Sequence, residues 1–167
     1  MPHSRLLAGI GTDSLSLGEQ LLLWSLRSWD EAVRQRRCPL CAIQEPFALI
    51  KAEPVAEALH RSFVLLLRPR SRPLDLHPPR AGVVGEDESR FLLAAGAAFH
   101  GGEALACRLL TGLLPRDLAA ALATALGALG ELLARHGLSV PERLPAVTRL
   151  AMPTGDLQAN AGLSLVH

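Results

Sequence analysis

Between Pro115 and Gly137 the chain carries a leucine ridge with almost no wettable flank. On a helical wheel Leu118, Leu122, Leu126, Leu129 and Leu133 fall in one narrow sector, the i, i+4, i+7 spacing of a core-facing helix. Ala120, Ala121, Ala125, Gly127, Ala128 and Gly130 supply small surfaces on the other sides, and the polar residues Asp117, Thr124, Glu131 and Arg135 lie on one thin strip. A rod this apolar would leave a large hydrophobic patch in water unless its neighbours wrapped it. The stretch therefore predicts a central helix near 115–137, covered on most sides by other helices. Its ends carry their own signals. Pro115 suits a first turn, Asp117 complements the positive end of the macrodipole, Arg135 and His136 the negative end, and Gly137 is a left-handed C′ residue. Gly127 and Gly130 each cost roughly 1 kcal/mol of helix propensity, which predicts close approach by a neighbour.

The remainder of the chain supports a helical partner set. Of 167 residues 49% are apolar, yet aromatics are 4% and Tyr is absent, so Leu and Ala carry the hydrophobicity and helices are favoured over sheets. The length suits one core better than two. Ser16-Leu-Gly-Glu19 is a capping box, and Leu22, Leu26, Trp29 and Val33 then line one face of a helix running to about Arg36. Cys38-Pro39-Leu40-Cys41 reads as a break, followed by a short helix to Ile50 with Pro46 in its first turn. Glu53-Pro54 opens another helix, with Leu59, Phe63, Leu66 and Leu67 on its apolar side. Pro69 ends it, and Pro73, Pro78 and Pro79 mark 68–85 as a long ordered loop or a linker between two halves. Glu86-Asp87-Glu88 announces a helix with Phe91, Ala95, Ala98 and Phe99 buried and His100-Gly101-Gly102 as its stop, and 103–114 is a further short helix. The expectation is an all-α, single-domain bundle of five to seven helices over 15–151. A flexible arm over 1–14 precedes it, Pro141–Ala151 adds a last turn or two, and 152–167 forms a frayed tail. Segments 57–70 and 103–116 align at an offset of 46 residues, but two helices drawn from a Leu, Ala and Arg alphabet match this well by chance.

Charge excludes more than it suggests. A net charge of +1 gives no field for nucleic acid or an anionic membrane. Lys51 is the only lysine, and the preference for Arg reads as the codon bias of a GC-rich bacterial genome. No uncharged apolar run reaches the roughly 18 residues of a membrane span, and the N-terminal run Leu6–Ile10 is too short for a secretory signal. Cytoplasmic residence with reduced cysteines is the expectation.

Few residues carry chemistry. The two thiols of Cys38-Pro39-Leu40-Cys41 have the spacing to bite one tetrahedral ion, zinc being the natural cofactor, but a closed site needs four ligands; the scattered His77, His60 and Cys107 are the candidates to complete it. The same pair can act as a dithiol, with Arg36 and Arg37 favouring a thiolate at Cys38. Against both stands the simple reading of Cys41 as a small packing residue and Cys38 as part of a surface turn. His100 and His136 precede glycines at helix ends and are explained as caps. Arg68, Arg70 and Arg72 form a proline-stiffened basic segment suited to a protein partner; without interleaved aromatics it does not read as a nucleic-acid site. Glu86-Asp87-Glu88 is explained by helix N-terminal charge. With no catalytic constellation in view, the sequence points to a helical adaptor or regulatory partner, or a homodimer, acting through its surface. A metal-binding or thiol-redox role for Cys38 and Cys41 is the alternative.

Overall fold

In the computed structural model, which describes residues 7–68 and 72–143, Ser16 opens the first helix as its local sequence dictates. Its Oγ accepts from the Glu19 amide at 3.2 Å, and Glu19 Oε2 accepts from the Ser16 amide at 2.7 Å. Helix α1 spans Leu17–Arg34, α2 Pro39–Leu49, α3 Glu53–Phe63, α4 Glu86–Phe99, α5 Glu103–Leu110 and α6 Arg116–Arg135. Short 3-10 turns occupy Thr12–Ser14 and Val64–Leu67. The all-α expectation holds: these six helices pack as one bundle, and the described residues contain no strand, only an isolated antiparallel bridge between Gly11 and Val83.

Three boundaries differ from expectation. Helix α2 starts at Pro39, so Cys38-Pro39-Leu40-Cys41 is its first turn and Pro46 lies in its interior. Helix α3 tightens into the 3-10 turn at Val64, which carries Leu67 out to 52% exposure while Leu66 stays buried. Helix α5 stops at Leu110 rather than 114. The ends of α4 and α6 fall where glycine punctuation put them, with Gly101 at φ +80° and Gly137 at φ +70°.

The core begins at an aromatic step from α1 through α3 to α4. Trp29 and Phe63 meet edge to face at 5.7 Å, and Phe63 and Phe91 at 5.9 Å. Helix α4 is the most enclosed element: every residue from Phe91 to Ala98 is buried. It packs on α1, α5 and α6. Gly130 of α6 lets Phe99 approach so closely that a Cβ there would stand 2.8 Å from the ring. The close approach expected of the helix glycines is therefore found at Gly130, against α4.

Helix α6 forms over the expected residues and packs on α3, α4 and α5, but it is not wrapped all round. Leu122, Leu126, Leu129 and Leu133 are buried, while Ala120, Ala121, Thr124 and Ala128 face solvent. The enclosed centre is α4 rather than α6, because an exposed alanine methyl costs little and the outer side of α6 is nearly all alanine.

Both flanks of the bundle are tied in. The arm expected over 1–14 is not loose from residue 7 onward: Leu7 is buried with its amide on Ser89 Oγ at 3.2 Å, and Gly9 and Thr12 donate to the carbonyls of Val84 and Gly82. Residues 138–143 run as an extended strap, with no helical turn at 141–143. Ser139 O accepts from Ser16 Oγ, His100 Nε2 contacts Val140 O at 3.1 Å, and Arg143 grips Glu19 through two bonds of 2.6 and 2.8 Å. Gly18 and Gly96 are the notches it crosses: a Cβ at Gly18 would overlap the Ser139 carbonyl, and one at Gly96 would stand 2.6 Å from Pro141 O. The remaining part of the turn expected over 141–151, and the 152–167 tail, lie outside the described residues.

Candidate functional site

The charged residues of the α4 N-terminus are structural anchors. Glu88 and Arg27 are both buried, and the guanidinium meets the carboxylate through Nε at 2.8 Å and Nη2 at 2.7 Å. Arg27 also donates to the carbonyls of Ala81 and Val83, and Glu88 accepts the amides of His77 and Gly85. Asp87 takes both Arg72 nitrogens at 2.6 Å and the amide of Asp75. The proline-rich loop is thereby stitched to α1 and α4, which is how a chain without regular structure stays ordered against the bundle. Every buried side-chain nitrogen and oxygen among the described residues has a partner.

Burial pushes the Glu88 carboxyl up, but Arg27 and the two amides outweigh it and hold its pKa below the ordinary 4.5. Asp87 is pushed up by burial and brought below its ordinary value by Arg72 and the Asp75 amide. Glu19 follows the same pattern, with Arg143 and Ser16 prevailing over burial.

Several residues expected to act in binding already hold partners within the fold. His77 is held to Glu88 by its amide and by its ring, Nδ1 lying 3.2 Å from Oε2. His60 Nδ1 accepts the Trp29 indole N–H at 2.9 Å, which leaves its proton on Nε2. Arg72 clamps Asp87, with 51% of its side chain still exposed. Arg68 is exposed, and Arg70 lies outside the described residues.

Cys38 and Cys41 do share one turn, at the exposed N-terminus of α2. Cys38 Sγ accepts the Cys41 amide at 3.2 Å as the N-cap. Hydrogen bonding between the thiols lowers the pKa of Cys38 and raises that of Cys41. His60 and His77 are occupied on Trp29 and Glu88, and among the described residues no three of the His, Cys, Asp and Glu side chains are grouped to hold a metal ion.

The other candidate is the outer side of α6. Its most apolar 18-residue window has a mean hydropathy of 1.5, and 39% of that window is buried. By length and composition alone it is long and apolar enough to span a membrane, although Glu131 lies within it and its uncharged run, 118–130, stays short of 18 residues as expected. Beside it α6 and α3 enclose a groove of about 410 Å³, floored by Ala58, Ala125, Leu129 and Leu132 and rimmed by Arg61, Glu131 and Arg135. A second cleft, of about 360 Å³, lies between Leu17, Leu21 and Trp24 of α1 and the loop at Pro79–Ala81.

No family model, no curated protein and no solved structure matches this chain. The sequence alone does not point to the roles of Arg27, Glu88 and Asp87; the only local signal is a glutamate at the third position of α4, able to reach back to the Gly85 amide.

Proposed function

We propose that this chain works by protein–protein interaction, as a small cytosolic adaptor or regulatory partner or as a homodimer, through the outer face of α6 and the groove beside α3. The observation that supports this reading is the mismatch in α6: a 20-residue helix of high hydropathy has less than half of its most apolar window covered by its own fold. The test is the paired substitution Ala121→Glu and Ala128→Glu, both at exposed positions. Chemical cross-linking in cells followed by mass spectrometry should capture a defined protein through α6 in the parent and lose it in the variant, with the helical circular dichroism unchanged. Capture that survives both charges ends the proposal.

A second reading is favoured by the shared exposed turn of Cys38 and Cys41, whose thiol pKa values move in opposite directions. It is a dithiol, or two ligands of a zinc site completed by groups from elsewhere. Alkylation of Cys38 with iodoacetamide should then persist to lower pH than that of Cys41. Zinc retained equally by the untagged parent and by Cys38→Ser/Cys41→Ser removes the metal version.

A further inference from the structure

The outer face of α6 has a pattern that specifies what could lie on it. Asp117, Ala121, Thr124, Ala128, Glu131 and Arg135 succeed one another at intervals of 4, 3, 4, 3 and 4 residues, and all six are exposed. That is the seam of a heptad helix pair, running about 27 Å at 1.5 Å per residue. Its middle is small and uncharged, which permits helix axes to approach to about 8 Å. Its ends are charged. Asp117, Glu131 and Arg135 form no ion pair with any described residue, although the chain pairs charges closely elsewhere, as in Arg34 with Asp30.

We infer that the occupant of this face is a second copy of the same chain, with the two α6 helices antiparallel about a two-fold axis beside Leu126. That axis sets Asp117 opposite Arg135 of the other copy, twice by symmetry. Thr124 then meets Ala128, and Glu131 meets Ala121, whose small side chain leaves it room. A parallel pair would instead put Asp117 on Asp117, Glu131 on Glu131 and Arg135 on Arg135, so like charges reject that orientation. Lipid is a poorer occupant, because Asp117 and Glu131 lie in the line of the face that would have to enter the bilayer. The inference rests on the reading of α6 as the binding face and names its partner.

The charges supply the experiment. In Asp117→Arg the seam carries only arginine at its two ends opposite each other, and in Arg135→Asp only aspartate. Each variant alone meets itself with like charges, whereas a mixture restores both opposite-charge pairs in a heterodimer. Sedimentation equilibrium of the full chain should show a dimer, a dissociation constant roughly tenfold or more weaker in each variant alone, and recovery on mixing. The recovery itself reports that both variants are folded. Thr124→Arg, placed at the middle of the seam, should abolish the dimer. A monomer at every concentration overturns the inference, as does a dimer indifferent to both charge reversals, or a monomer that floats with phosphatidylglycerol vesicles. A monomer whose α6 still captures a different protein, sensitively to Ala121→Glu and Ala128→Glu, would overturn the self-pairing and leave the binding-face reading standing.

Discussion

Helices α4 and α6 are close neighbours built from similar letters, yet they are treated in opposite ways. Helix α4 begins with three acidic residues, two of them buried, and ends enclosed on all sides; α6 has the leucine ridge and the higher apolar content, and shows one whole side to water. Burial here follows from what surrounds a helix more than from how apolar its own residues are. The first turn of α4 is buried because Arg27 and Arg72 neutralise it and because the loop needs acceptors there. The outer side of α6 stays open because alanine is cheap to expose and no segment among the described residues crosses it.

The comparison breaks most sharply at Glu88. Glu88→Ala strands a buried guanidinium and two amides, and should lower the unfolding free energy by about 3–5 kcal/mol in urea titrations. Acid probes the same cluster. Glu19, Asp87 and Glu88 all have folded pKa values below their ordinary ones, so their contribution is complete above about pH 4.5 and is lost as the pH falls through the lowered values. Stability measured against pH should therefore be level above that point and fall below it, less steeply in Glu88→Gln. A fall beginning well above that pH would contradict these assignments.

A gentler contrast uses one substitution in both helices. Ala95→Leu forces extra volume into the enclosed side of α4 and should cost about 1–3 kcal/mol, read from thermal unfolding. Ala128→Leu on α6 should change monomer stability by no more than about 0.5 kcal/mol, since it meets water. Equal effects would mean that α6 is covered in solution. Between these lies Gly96→Ala. Its new methyl group meets Pro141 O, so it should release the strap at a cost of about 1 kcal/mol or more, visible as faster hydrogen exchange at Val140 and neighbouring amides.

Much of this architecture is legible in the letters because it depends on local chemistry. The Ser16–Glu19 box, Pro54 at the start of α3, the acidic turn at Glu86 and the glycines at 101 and 137 act within a few residues, and each sits where its spacing implies. Cys38 is easily misread, because a cysteine N-cap with proline behind it resembles a break. The choice of α4 as centre is hidden, since exposed and buried alanines are written alike. The anchoring of His77 and Arg72 is hidden too: their partners lie 11 and 15 residues away, and nothing nearby marks Arg27, 61 residues from Glu88, as the buried cation. The α6 seam can be counted from the sequence, but that its charges pair with no described residue cannot.

The strap at 138–143 couples segments made far apart in time. Ser16 and Glu19 are made well before their partners Ser139 and Arg143, which arrive 123 and 124 residues later. At ribosomal speed that is a wait of about 6–25 s. For that interval α1 has its capping box but not its outer clasp, and the nascent bundle is an unlatched box whose lid is cut later from the same plank.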